Sequence, residues 1–157
     1  IGYFYRSKQE LKQLAMLENA PEFTLKDIDD NSVSLSDFKG KLVLIDVWAT
    51  WCKPCIQEIP DLKALLLDYE ESNLRFVGIS IDQQEDIELW KEKVDAEQLP
   101  GTQLIMDKGW QSTFKSDYVV SSVPRFILID EEGKFIDVDA PRPSEGNKLR
   151  ILIDEHL

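Results

Sequence analysis

The sequence predicts a single α/β domain in which a central mixed sheet carries helices on both faces. Three observations predict it. Two near-continuous apolar runs, residues 42–48 and 74–81, bracket a stretch with helical periodicity, the β-α-β pattern of a parallel pair buried on both faces. A third apolar run, 126–129, turns at 130–133 into 135–138 and is followed by a helical pattern at 147–155. A length of 157 residues with 43% hydrophobic and 31% charged content suits one soluble domain with a sizeable core.

The elements follow in order. Ser7 and Glu10 match a capping box, and Leu11, Leu14 and Leu17 follow at helical spacing, which predicts a helix over 7–18. Pro21 ends that pattern, so residues 1–19 are expected to be an N-terminal helix and linker, and 20–157 the domain proper. The chain opens on Ile1 rather than Met, which is expected to reflect trimming or excision from a longer protein. Weak alternation over 23–26 and 32–35 around Asp29, Asp30 and Asn31 predicts a hairpin. The helix that starts after Cys52 carries Pro54 in its first turn, where a missing N–H costs nothing. It carries Pro60 inside, where a kink is expected, and shares one apolar face among Ile59, Leu62, Leu66 and Tyr69. Beyond 74–81, a helix is expected over 84–94, a short strand over 103–106 and a helix or turn over 109–114.

A net charge of -12 argues against nucleic acid or an anionic membrane as partner, since both require basic patches. No apolar run is long enough to span a bilayer.

The two cysteines form one C-x-x-C, Cys52 and Cys55, at the junction of a buried strand and a helix N-terminus. Thiol–disulfide exchange needs a thiolate, and a helix N-terminus favours one by lending unpaired N–H groups. Cys52 lies at that end, so its pKa is expected to fall from about 8.5 into roughly the 3.5–7.5 range, with Lys53 lowering it further. Cys55 is expected to face inward and resolve the mixed disulfide. A structural crosslink would close too small a loop to restrict the unfolded chain much. Zinc ordinarily needs four ligands, and the chain adds one histidine, His156, to the two cysteines. Copper delivery by the same pair is a further alternative.

Asp46 interrupts an apolar strand, where an ionised carboxylate is expensive. It is expected either to serve as a proton acceptor with a raised pKa or, at a strand end, to reach water. Glu58 lies one turn beyond Cys55 and is a second candidate acceptor, or else an ordinary exposed helix residue.

These residues carry a resemblance. Residues 46–55, with Asp46, Trp48, Trp51, Cys52, Pro54 and Cys55, resemble the active-site segment of thioredoxins, and Pro60 matches the helix-kink proline of that fold. APEFTL at 20–25, LSDFKGK at 35–41, CKPCIQEIP at 52–60 and VPRFILIDEEG at 123–133 resemble the TlpA/ResA-like group of bacterial thiol–disulfide oxidoreductases, over residues 20–157. The resemblance implies a thioredoxin-like three-layer fold with an N-terminal β-hairpin and an inserted helix and strand within 82–109. It implies a cis bond before Pro124, with Val123 presenting backbone to an extended substrate, and Glu58 as the active-site glutamate. Trp51, Lys53, Pro54, Val123, Pro124 and Arg125 would form the substrate surface. Arg125 stands where many relatives carry Thr, and its cation beside Lys53 is expected to help dock an acidic segment. Asp46 stands where many relatives carry Asn.

The expected function is exchange of disulfides with protein substrates, as a reductant fed by an upstream redox partner, without cofactor or metal. The expected setting is outside the cytoplasm, as a monomer tethered to a membrane or built into a larger chain. A peroxiredoxin-like peroxidase is the alternative within the fold, but its P-x-x-x-T-x-x-C pattern is absent, since Thr50 precedes Cys52 by two residues. A non-catalytic copper-binding or partner-binding module is the other.

Overall fold

A computed structural model describes residues 2–106 and 113–157, with side chains from residue 8 onward. The expected helix or turn at 109–114 therefore lies mostly outside the described residues; Thr113–Asp117 forms helix α5. Seven strands form one mixed sheet: β1 (Thr24–Asp27), β2 (Ser32–Ser34), β3 (Leu42–Trp48), β4 (Leu74–Ser80), β5 (Thr102–Ile105), β6 (Arg125–Ile129) and β7 (Phe135–Ala140). Their order is β2-β1-β5-β4-β3-β6-β7. The central trio β3, β4 and β5 is parallel, while β1, β6 and β7 pair antiparallel at the flanks.

Every residue of β3 is buried, because the strand lies between β4 and β6 and both its faces are covered. Its odd positions, Val43, Ile45 and Val47, pack with Ile79, Leu104 and Ile127 and with Phe114 and Tyr118 of the α5 region. Its even positions Leu42 and Leu44 pack with Leu62 and Leu65 of α3 (Ile59–Asp68) and Leu149 and Ile153 of α6 (Lys148–Asp154). Asp46 therefore belongs to the α3 face, between Leu44 and Trp48.

The helix expected from Cys52 onward is two helices, α2 (Lys53–Gln57) and α3, with Glu58 at the joint. Pro60 explains the break: it has no N–H to give to the carbonyl four residues back, and its ring crowds that turn. Helix α4 (Ile87–Ala96) starts three residues later than expected, after a 3-10 turn over Gln84–Asp86.

The first helix differs from expectation at both ends. Helix α1 spans Gly2–Ala15, so Ser7 lies inside it rather than capping it, and Leu17 falls beyond its end. Leu14 is buried and α1 lies against β7. The Ala20 N–H donates to the Gly133 carbonyl, at 2.8 Å, tying the following segment to the β6–β7 turn.

Candidate active site

The C-terminal ends of β3 and β4 build the site. Trp48 ends β3, and the Ile81 N–H donates to its carbonyl at 2.8 Å, prolonging the β3–β4 pairing by one rung. The loop that follows is held by Asp82, a buried carboxylate. Asp82 accepts from the Thr50 N–H at 3.0 Å, from the Thr50 hydroxyl at 2.7 Å and from the Ser80 hydroxyl. A carboxylate accepting several hydrogen bonds fixes the backbone two residues before Cys52. Sequence reasoning did not single out Asp82; the signal was a carboxylate placed directly after a buried strand, level with the Thr of the Cys52 loop.

Cys52 is the N-cap of α2, and Cys52 and Cys55 are joined as a disulfide. Their exposures are 4% and 3%, so accessibility does not distinguish them. Hydrogen bonding does: the Cys55 N–H donates to Cys52 Sγ at 3.2 Å, so an orphan donor of the helix start is aimed at the Cys52 sulfur. The pair packs with Trp48, Ala49, Trp90 and Ile105, and Val123 closes against this cluster. Trp51, at 68% exposure, Lys53 and Pro54 surround it on the outside. The Val123–Pro124 peptide bond is cis, as the resemblance implied.

Two carboxyls flanking the dithiol in sequence, Asp46 on the strand that leads into it and Glu58 three residues beyond Cys55, are buried. Asp46 is not a strand-end residue reaching water: it is the fifth residue of β3, between Gly78 and Phe126 on the neighbouring strands. Burial, reinforced by the charge of Glu58, pushes its pKa up to about 8. Its Oδ1 is buried without a hydrogen-bond partner among the described residues. Glu58 is also buried, at 6% exposure, rather than an exposed helix residue. Both its oxygens are occupied by one residue, Ser144, whose N–H donates to Oε1 at 3.0 Å and whose hydroxyl donates to Oε2 at 2.5 Å. The joint at Glu58 turns the carboxylate toward the loop before α6. Glu58 is thus anchored as a hydrogen-bonded acceptor, while Asp46 has a free oxygen.

Arg125 corrects an expectation. It pairs with Val47 across β3–β6, so it belongs to the sheet face opposite Asp46, and it is buried. Its guanidinium donates to the carbonyls of Val138 at 2.7 Å, Val119 at 2.6 Å and Tyr118 at 2.6 Å. Burial lowers its pKa to about 10, with Asp139 opposing, and it stays a cation at neutral pH. It therefore staples the segment leading into Pro124 to β7 and offers no cation to a docking partner. Arg125→Ala strips three carbonyls of their donor, and each such loss costs about 1–3 kcal/mol. The expected result in denaturant unfolding is a loss of at least about 2 kcal/mol, with peptide-disulfide binding at low salt unchanged in the folded fraction. A selective loss of binding at unchanged stability would restore the docking role.

Among the described residues, no three His, Cys, Asp or Glu side chains converge as metal ligands. No described helix is long and apolar enough to cross a membrane.

The sequence profile of the AhpC/TSA family matches residues 16–138. The chain is 30% identical over 157 residues to the thiol–disulfide oxidoreductase ResA of Bacillus cereus, covering 99% of this chain and 82% of that protein. It is 37% identical over 122 residues to the thioredoxin-like protein YneN of Bacillus subtilis, covering 77% of this chain and 69% of that one. The crystal structure of the thioredoxin domain of a thiol–disulfide oxidoreductase from Bacteroides vulgatus superposes with a TM-score of 0.76 at 30% identity, over 88% of this chain and 94% of that domain.

Proposed function

This chain belongs to the AhpC/TSA family and is a thiol–disulfide oxidoreductase of the thioredoxin-like TlpA/ResA type; on that premise we propose that it works as a reductant, with Cys52 attacking, Cys55 resolving and Asp46 carrying the proton. The observation that carries this division of roles is the pair of contrasts at the site. Cys52 Sγ receives a backbone N–H, and of the two buried carboxyls Glu58 is anchored by Ser144 while Asp46 Oδ1 has no hydrogen-bond partner among the described residues.

In the reduced protein the Cys52 thiolate attacks one sulfur of a substrate disulfide. A Cys52–substrate bond forms, and the other substrate sulfur leaves as a thiolate. Cys55 gives its thiol proton to ionised Asp46 and attacks Cys52 Sγ, which closes the Cys52–Cys55 disulfide and expels the second substrate sulfur with its electron pair. Two electrons have then passed from the dithiol to the substrate. An upstream dithiol reverses the sequence at Cys52 Sγ, and Asp46 returns its proton to the departing Cys55 thiolate. A carboxyl raised to about 8 is a stronger base than an ordinary carboxylate, and a base whose pKa lies near the working pH transfers protons most efficiently.

Charge at the site supports the reductant direction. A dithiol oxidises strongly when its thiolate is stabilised. Here the Cys55 N–H favours the Cys52 thiolate, while the neighbouring carboxyls of Glu58 and Asp46 oppose an added anion and Lys53, exposed to solvent, is screened. Redox equilibration of the Cys52–Cys55 couple against glutathione and dithiothreitol buffers tests it. The expected potential lies near the thioredoxin value of about -270 mV, and one near about -120 mV would make the protein an oxidant. Trp51, Lys53, Pro54, Val123 and Pro124 are the proposed substrate surface. The proposed setting is extracytoplasmic, as a monomeric unit between an upstream dithiol donor and protein disulfides. Labelling of intact cells with a membrane-impermeant thiol reagent checks the location.

A further inference from the structure

One rung of the sheet crosses the site with an unusual set of residues. Gln103 on β5 pairs with Gly78 on β4, Gly78 with Asp46 on β3, and Asp46 with Phe126 on β6. Paired residues point to the same face, so Gln103 and Asp46 stand on one face with only a glycine between them. The glycine is required there by Gln103. A Cβ at Gly78 would lie 2.3 Å from Gln103 Oε1 and 2.8 Å from its Cδ and Nε2. The carboxamide of Gln103 therefore lies over β4, one strand spacing of about 4.8 Å from the Asp46 backbone, a distance the two side-chain ends can together bridge.

The hydrogen bonding of that rung is unfinished in a matching way. Gln103 Nε2 donates to the Pro100 carbonyl at 2.8 Å, which fixes which end of the amide is oxygen. Gln103 Oε1 and Asp46 Oδ1 are each buried without a hydrogen-bond partner among the described residues. A buried acceptor left unpaired is expensive, and an ionised carboxylate has nothing to donate to it. A neutral carboxyl does, and an acceptor that bonds only the neutral form favours that form.

We propose that Gln103 is a positioning residue for the redox reaction: across the gap left by Gly78 its carboxamide oxygen accepts the hydrogen of neutral Asp46 and holds that proton in place for Cys55. The proposal rests on the reading of Asp46 as the proton carrier. The titratable group that acts on Asp46 is Glu58, from the α2–α3 joint; Cys52 and Cys55, packed with Trp48 two residues along the same face, are joined as a disulfide and do not titrate in the oxidised protein. Strands β4 and β6 present Gly78 and Phe126, which do not titrate, and Arg125 lies on the opposite face. Gln103 and Glu58 thus act in the same direction, one by hydrogen bonding and one by charge.

The test is a carbon-13 NMR titration of the Asp46 carboxyl in the oxidised protein, in wild type, Gln103→Met and Gly78→Ala. Met removes the acceptor at similar volume, and Ala displaces the carboxamide while keeping it. Both variants are expected to lower the Asp46 midpoint by about one pH unit, a tenfold shift in its neutral-to-ionised ratio, and to shift the pH profile of the resolution step by the same amount. A merely structural Gln103 would move stability and leave both midpoints in place. If wild-type Asp46 titrates high and neither variant moves it by more than about 0.3 unit, the Gln103 role is overturned while Asp46 stands. If wild-type Asp46 titrates as an ordinary carboxylate, the proton-carrier reading fails first, and this proposal with it. Should the variants not fold, the infrared difference spectrum between wild type and Asp46→Asn reads the carboxyl directly. A hydrogen-bonded O–H supports the proposal, and a free one overturns it.

Discussion

Cys52→Ser is expected to abolish disulfide exchange, and Cys55→Ser to leave a protein that attacks once and then stalls. The two cysteine residues are buried to the same degree, so the distinction rests on Cys52 being the N-cap of α2 with the Cys55 N–H aimed at its sulfur. That hydrogen bond favours the anion on Cys52, and the anion is the attacking species. Among the described residues no such donor is aimed at Cys55 Sγ, so Cys55 is assigned the resolving role. Two measurements check the assignment: turnover of insulin disulfides by each variant, and mass spectrometry of the adduct that Cys55→Ser forms with a peptide disulfide. The expected adduct sits on Cys52 and persists until a free thiol is added. Turnover retained by Cys52→Ser, or a stable adduct on Cys55 in Cys52→Ser with turnover intact in Cys55→Ser, would exchange the roles.

How far this site was legible in the sequence depends on the range of the interactions that make it. Cys52, Cys55 and the run into them are local, and a buried strand delivering a dithiol to a helix start is visible in consecutive residues. The strands β3, β4 and β6 are legible for the same reason, since burial on both faces removes polar positions over whole runs. Ser144 is the opposite case. It holds Glu58 from 86 residues away, and a serine in an exposed loop carries no local sign of its partner. Gln103 is silent until the sheet register sets it beside Gly78. Arg125 is illegible for another reason: a cation after a proline that flanks the site reads as surface. Strand parity overrides proximity: opposite Val47, its side chain starts on the far face of the sheet. The start of the first helix is hidden because Ser7 and Glu10 have capping-box spacing, which any helix interior can contain by chance once the chain upstream is also helical.

Asp46→Asn should make the protein more stable, and increasingly so as pH rises from 4 to 8. In the unfolded chain Asp46 titrates near its ordinary 3.8, and in the folded protein near 8. Between these values the folded state holds a proton that the unfolded state has released. The free energy of unfolding therefore falls with rising pH, by about 1.4 kcal/mol per unit from this group, and the loss levels off above about pH 8. The full loss is on the order of 5 kcal/mol, a large part of the stability of a domain this size. An asparagine side chain cannot ionise, so the variant lacks that slope. Compared with any difference at pH 4, Asp46→Asn should gain about 2–5 kcal/mol at pH 8 in denaturant unfolding of the oxidised protein. The same substitution removes the acceptor of the Cys55 proton, so resolution of the mixed disulfide should slow while attack by Cys52 is retained. Stability and turnover then move in opposite directions on one residue, as expected where a buried acid is kept for its chemistry at a cost to the fold. Parallel stability curves for the two proteins would mean that Asp46 is already ionised in the native state. The proton for Cys55 would then have to come and go through Glu58, which in this structure has both oxygens engaged by Ser144.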